Sequence, residues 1–311
     1  MLKIVFMGTP NFSVPILEAL IDKYNVVGVV TQPDKIVGRK KELVASPVKE
    51  CALKHGIQVF QPTKIKNQYQ DILALEPDII ITAAYGQIVG EELLNYPKYK
   101  CVNVHGSLLP KHRGGAPIQR SIMNGDQETG ITIMYMAKAM DSGDILSQRS
   151  IKIEDTDTST TLFSKLSILG RDLLLETLPL LIDNKIEPIK QDESLVTFSY
   201  NLMPEEEQID FSKDARSIFN QIRSLLDEPC AYFNFNGYPD ATDRVKVLEA
   251  TVGEAFTDKA PGEIVSKTKK YFTMACGNNT TLNIHKVQPF GKKPMNASDF
   301  INGGLRKYWK E

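Results

Sequence analysis

The chain has 311 residues, 42 % hydrophobic and 24 % charged, proportions of a globular protein long enough for two domains that each bury a core. A net charge of −1 excludes a global field for nucleic acid or membrane, so any basic surface is local. Cys51, Cys101, Cys230 and Cys276 are scattered and form no C-x-x-C pair, which argues against a zinc knuckle or redox dithiol and suits free thiols in a cytoplasmic protein.

In chain order, "LKIVFMG" (Leu2–Gly8) is a continuous apolar run. It is followed by "NFSVPILEALID", with Val14, Leu17, Leu20 and Ile21 at helical spacing, and by the β-branched run Asn25–Gln32. Strand, helix and strand within about 30 residues make a βαβ unit with parallel strands. Ser46–Gly56 reads as a helix capped by Ser46, opened by Pro47 and stopped by Gly56. "IQVFQ" is a short strand, "NQYQDILALE" helical, Asp78–Gly86 a buried strand, "CVNVHG" the next strand, and "APIQRSIMNG" a helix closed by Gly125. "GITIMYM" and "DILSQRSIKI" add two strands, and "TSTTLFSKLSILGRDLLLETLPLLID" is a long helix with a break expected at Gly170. No apolar run is long enough to span a membrane, and the start is too short for a signal-peptide core.

This pattern predicts a doubly wound α/β domain over 1–189. A polar linker follows over 190–206, and a small β-barrel domain over 207–311 is built from one helix and the short strands of "AYFNFNG", "RVKVLEATVG", "PGEIVSKT", "YFTMACGN" and "TLNIHKVQP". A five-stranded barrel of the oligonucleotide-binding kind fits that spacing. A nicotinamide site does not: the first turn, "GTPNFS" (Gly8–Ser13), keeps one glycine where the fingerprint needs G-x-G-x-x-G for backbone approach to a pyrophosphate.

The residues that carry chemistry lie at the end of "CVNVHG". Side chains alternate along a strand, so Asn103 and His105 share one face and Val102 and Val104 the other. An amide donor beside an imidazole at the carboxyl end of a strand can polarise a carbonyl and hold the oxyanion that develops on it. A histidine in that role needs an orienting carboxylate, and "MDSGDI" offers Asp141 and Asp144. Cys101 is assigned no nucleophilic role. A second feature is "KIVGRKK" (Lys35–Lys41), four cations and no acid, which reads as a basic loop between strand and helix.

"NVHGSLLPKHRGGAPIQRSI" resembles the signature of the folate-dependent formyltransferases. "FMGTPNFS", "GVVTQPDKIVGRKKELVASPVK", "AAYGQI", "GDQETGITIM", "AMDSGDIL", "LVTFSYNL", "EEEQIDFS", "PGEIV" and "GKKPM" extend the resemblance over nearly the whole chain, toward the branch of that family that acts on tRNA. The resemblance implies a Rossmann-like formyltransferase domain followed by an OB-like barrel, with Asn103, His105 and Asp141 as the catalytic set. It implies a folate pocket built from Ser107, Leu108, Leu109 and Pro110, from Tyr85, Gly86, Gln87 and Ile88, and from Asp144. The donor would be 10-formyltetrahydrofolate, with no metal, and the acceptor the α-amine of initiator methionyl-tRNA. That amine titrates near pH 8, so a useful fraction is neutral. It would attack the formyl carbon while Asn103 and His105, as imidazolium, hold the oxyanion and Asp141 steadies that cation.

Arg39, then Lys40 and Lys41, with Lys35, would contact the acceptor arm. The stretch from Ala260 to Glu311 carries nine Lys/Arg against three acids, and Lys267, Lys269, Lys270, Lys292 and Lys293 could follow a phosphate backbone. The chain departs from the family at Asp227–Cys230, where "DEPC" lacks the usual Trp and Gly. Rival acceptors are an amino-sugar nucleotide and glycinamide ribonucleotide. A catalytically silent tRNA-binding protein is the rival of another class. A monomer that makes no use of a membrane is expected.

Overall fold

The computed structural model describes residues 2–38, 41–234 and 243–303. They fall into two compact units, one within Met1–Pro117, Glu128–Lys152 and Phe163–Tyr200, the other within Ile118–Gln127, Ile153–Leu162 and Asn201–Glu311.

In the first unit β1 (Lys3–Gly8) is buried from Ile4 onward. α1 (Val14–Lys23) turns Ile16, Leu17 and Leu20 inward, and β2 (Asn25–Val30) returns beside β1 in parallel. The basic stretch begins as a strand rather than a loop. β3 (Lys35–Val37) and β4 (Glu42–Val44) pair antiparallel as a separate hairpin. α2 (Pro47–Lys54) starts where expected: the Ser46 hydroxyl accepts the Lys49 N–H at 3.1 Å and Pro47 fills a position whose N–H needs no partner. β5 (Val59–Phe60) is two residues long, and α3 (Gln70–Leu73) is one turn, shorter than the expected helix. β6 (Ile79–Ala83), the unexpected short α4 (Glu91–Asn95) and β7 (Cys101–His105) follow. Then come α5 (Pro117–Asn124), which from Ile118 on belongs to the second unit, β8 (Glu128–Tyr135), β9 (Ile145–Lys152) and α6 (Ser159–Ile182), which belongs to the first unit from Phe163 on.

The seven strands lie in the order β5-β2-β1-β6-β7-β8-β9. The first five are parallel; β8 pairs antiparallel with β7 and β9 antiparallel with β8, so the sheet is mixed with β8 alone reversed. The chain leaves β1 for β2 and β5 on one side, then returns for β6 and β7 on the other. The carboxyl ends of β1 and β6 therefore flank a topological switch point, where such sheets open a crevice. An antiparallel β8 begins at the edge where β7 ends, so residues 106–127 form a same-edge connection rather than a crossover.

α6 runs unbroken through Gly170. A Cβ there would lie 2.8 Å from Val104 Cγ1 and 3.5 Å from Ile131 Cδ1, so this glycine lets the helix approach β7 and β8 closely instead of ending it.

The second unit contains α7 (Ala215–Ser224), capped by Asp214, which accepts the Ser217 N–H at 3.0 Å. It continues with β10 (Tyr232–Asn234), β11 (Arg244–Val252), β12 (Ile264–Lys267), β13 (Phe272–Ala275), β14 (Thr281–Pro289), β15 (Met295–Asn296) and α8 (Ala297–Gly303). The strands make one antiparallel sheet, β10-β11-β14-β13-β12 with β15 on β14, curled as a half-barrel over Ile218, Ile222, Val247, Phe272 and Leu282. At the "DEPC" departure Cys230 N–H donates to Leu225 O at 3.0 Å and Thr160 Oγ1 to Asp227 Oδ2 at 3.2 Å.

The stretch 190–206 is tied down along its length. In the first unit Arg113 N–H donates to Thr197 O at 2.9 Å and Ser199 N–H to Arg113 O at 2.7 Å; in the second, Glu206 pairs with Arg120. The four cysteines are free and buried. Among the described residues no helix is long and apolar enough to cross a membrane.

Gly170→Leu drives a side chain into Val104 and is expected to destabilise the first unit by about 1–3 kcal/mol, read as a lower urea midpoint at unchanged slope.

Candidate active site

Asn103 and His105 project from the last turn of β7 on the same face. Thr82, on the neighbouring β6, donates its hydroxyl to Asn103 Oδ1 at 2.8 Å. With its carbonyl end engaged, the Asn103 amide turns its N–H₂ donors away from Thr82, and Asn103 is itself only half-buried.

His105 is 5 % exposed. Its Nε2 lies 3.0 Å from the carbonyl oxygen of His112. A carbonyl only accepts, so Nε2 carries a proton and Nδ1 is the nitrogen left for chemistry. Nδ1 lies 3.7 Å from Asp141 Oδ2. The same Oδ2 accepts the Gly114 N–H at 2.8 Å. Gly114 has φ +124°, and a Cβ on it would stand 2.6 Å from Ser199 O, so no other residue brings its N–H to that carboxylate so cheaply. Of the two candidate carboxylates, Asp141 is the one beside His105. Asp144 is half-buried, its backbone carbonyl accepts the Tyr135 N–H at 3.0 Å, and its charge adds to burial in raising the Tyr135 phenol.

The "SLLP" segment divides. Ser107 is fully buried and donates to Lys111 O at 2.8 Å, and Leu109 packs with Met134 and Ile145. Leu108 and Pro110 are partly exposed. Thr132 and Gln148, from β8 and β9, fasten the segment: Thr132 Oγ1 donates to Ser107 O at 2.7 Å and Gln148 Nε2 to Leu109 O at 2.7 Å.

Beyond β6, Tyr85 is buried in the core. Its backbone carbonyl accepts from Thr9 Oγ1 at 3.0 Å and Gln32 Nε2 at 3.1 Å, while its hydroxyl has no partner among the described residues. Burial pushes that phenol well above its ordinary value. Gly86 is exposed with φ +88°. Gln87 accepts the Ile65 N–H at 2.8 Å and donates to Pro62 O at 3.0 Å, and Ile88 is 81 % exposed. The first turn is filled by protein: Ser13 Oγ donates to Ala83 O at 2.6 Å and Phe12 meets Phe163 edge-on.

Cys101 donates its thiol to Leu93 O at 3.3 Å, and burial pushes that thiol up to about 12, so it stays protonated and unreactive. Among the described residues one trio could ligate a metal, Glu18, Cys51 and His55, whose ligand atoms lie within 4.8 Å of one another; none belongs to the set just described.

Of the basic residues, Lys35 sits on β3 and Lys41 in the hairpin turn, both exposed; Arg39 and Lys40 lie outside the described residues. The hairpin also exposes Ile36 and Leu43, each at 68 %. Lys267, Lys269, Lys270, Lys292 and Lys293 are exposed. Sequence reasoning missed Thr82, His112, Arg113, Gln191 and Ser199. His112 Nδ1 and Ser199 Oγ are 2.7 Å apart, 87 positions from each other in the chain, and neither residue sits in a pattern that signals the contact.

The family model for formyl transferase matches residues 2–178 and that for the formyl transferase C-terminal domain residues 201–305, and the chain belongs to the formyl transferase family. Within it, the chain is 53 % identical to the methionyl-tRNA formyltransferase of Bacillus mycoides (97 % of this chain, 96 % of the relative) and 51 % identical to that of Latilactobacillus sakei (97 % and 95 %). Its fold is similar to the N-formyltransferase of Helicobacter canadensis, solved with folinic acid and dTDP-3-aminofucose, at TM-score 0.70 and 22 % identity over 91 % of this chain and 99 % of that one.

Thr82→Val removes the hydroxyl that orients Asn103. Losing one hydrogen bond of this kind corresponds to about 1 kcal/mol, so turnover is expected to fall about five- to tenfold in steady-state assays with little change in KM.

Proposed function

We propose that the chain transfers the formyl group of 10-formyltetrahydrofolate to the α-amine of initiator methionyl-tRNA. The observation that carries this reading is the convergence of Asn103, His105 and Asp141 at the end of β7, in a chain whose relatives at about half identity are methionyl-tRNA formyltransferases. The folate donor is supported by the folinic acid named with the Helicobacter canadensis enzyme.

In this reading the amine nitrogen bonds to the formyl carbon and the bond from that carbon to the folate nitrogen breaks. One proton leaves the amine and one arrives on the departing nitrogen. The Asn103 N–H₂ group and protonated His105 hold the intermediate oxyanion. Because Nε2 is committed to His112 O, a proton exchanged with the reacting centre passes through Nδ1, beside Asp141. The 3.7 Å separation leaves room to tighten when substrate arrives. Ser107–Pro110, Tyr85–Ile88 and Asp144 would border the folate. In the division at 189 and 206, residues 1–189 would carry the chemistry and 207–311 would add tRNA contacts. Lys35 and Lys41, with Arg39 and Lys40 between them in the chain, would meet acceptor-arm phosphates.

The deciding experiment supplies 10-formyltetrahydrofolate with initiator methionyl-tRNA, elongator methionyl-tRNA, an amino-sugar nucleotide and glycinamide ribonucleotide in parallel. Transfer to the initiator alone is expected; transfer to a nucleotide and to neither tRNA sinks the reading. Asn103→Ala and His105→Ala are each expected to lower kcat by about 10²–10³ while tRNA still binds in a filter assay. Arg39→Ala and Lys41→Ala are expected to raise KM for tRNA and each to reduce the slope of log affinity against log salt by about one.

A further inference from the structure

Gln191 touches none of the three residues' reactive atoms, yet its side chain converges on the turn that carries Asp141. Its Nε2 donates to the carbonyls of Asp141 and Gly143, both at 2.8 Å. Its Oε1 accepts from Arg113 Nε at 3.0 Å and Nη2 at 2.9 Å. A guanidinium only donates and a carbonyl only accepts, so this network admits one orientation of the amide.

Arg113 is buried, and its charge is met by Glu193, with Nη2–Oε1 at 2.8 Å and Nη1–Oε2 at 3.2 Å. The next residue, Gly114, is the one whose N–H holds Asp141 Oδ2. Two successive residues of one loop therefore grip Asp141, one at its carboxylate directly and one at its backbone through Gln191. The grip is needed because Asp141 has φ +48°, a left-handed conformation that costs a non-glycine residue about 1 kcal/mol or more.

From this circuit we propose that Gln191 is a positioning residue for formyl transfer. Backed by Arg113, it fixes the Asp141–Gly143 turn so that the Asp141 carboxylate stays beside His105 Nδ1. The proposal rests on the formyl-transfer reading above. Without the Gln191 donors two carbonyls lose their partners, the turn can leave its left-handed conformation, and the carboxylate drifts; a misplacement of about 1 Å at such a site costs about 10²-fold in rate.

The test pairs kinetics with amide exchange on two variants. Gln191→Leu removes both donors at similar volume. Gln191→Glu keeps an acceptor toward Arg113, and so keeps the ion cluster, but turns an oxygen onto the two carbonyls; it serves should the leucine variant fold poorly. In either, kcat is expected to fall about 10–100-fold with KM for both substrates within about twofold, and amide exchange over 141–144 to accelerate. In an Asp141→Ala background, Gln191→Leu is expected to cost less than about twofold, because what it positions is gone. Equal losses in the two backgrounds, or wild-type kcat with unchanged exchange over 141–144, overturn the proposal. Absence of transfer by the wild-type enzyme to any methionyl-tRNA refutes the formyl-transfer reading separately, and the exchange comparison then decides by itself whether Gln191 holds the turn.

Discussion

A histidine buried at the end of a strand has to be paired, and the loop after β7 is shaped by that demand. His105 meets it with a single backbone acceptor, the carbonyl of His112. To present that carbonyl the chain must double back within seven residues. It does so with Ser107 on Lys111 O and with His112 itself in a left-handed conformation, φ +61°. The His112 ring then points the other way, to Ser199, so the peptide between them is held from both sides. One hydrogen bond thereby sets the path of the loop, the tautomer of the imidazole and the nitrogen that faces Asp141.

The shared face of Asn103 and His105 was legible in the residue order, as were the ends of α2, because strands and caps have short periods; the His105–His112 bond was not. Alternation over two residues puts Asn103 and His105 on one face, and Ser46, Pro47 and Gly56 bound α2 through contacts three or four positions apart. What local pattern does not contain is the partner at a distance. Gln191 lies in a polar stretch that reads as a solvated linker, and its role exists only once Arg113, 78 positions earlier, and Asp141, 50 positions earlier, have been brought to it. The choice between Asp141 and Asp144 is of the same kind: both sit in one turn sequence, and only the fold sets which carboxylate meets Gly114 N–H.

Other departures have local causes. α3 and α4 are too short to complete two helical periods, so apolar spacing neither sizes the first nor reveals the second. At Gly170 the absence of a side chain reads equally as a helix stop or as a close contact, and packing against Val104 selects the second. The β3–β4 hairpin is obscured because its apolar residues come as adjacent pairs, Ile36–Val37 and Leu43–Val44, all of them exposed, whereas alternation is the signal of a strand with one buried face.

The hairpin bears on what the proposed site on β7 leaves open. In the proposed reading an amide, an imidazole and a carboxylate act on the carbonyl of the donor and leave the choice of amine open. On that reading the acceptor is chosen elsewhere on the surface. At physiological salt a charge is felt over about 8 Å, so in a chain of net charge −1 only clustered cations hold a polyanion. Lys35–Lys41 carries four cations and no acid in its sequence, and the described strands β3 and β4 present apolar side chains to solvent. A small sugar or glycine amide offers that surface little to bind. In the proposed reading a nucleic acid end, with phosphates for the cations and base faces for the apolar side chains, would be the acceptor that uses both.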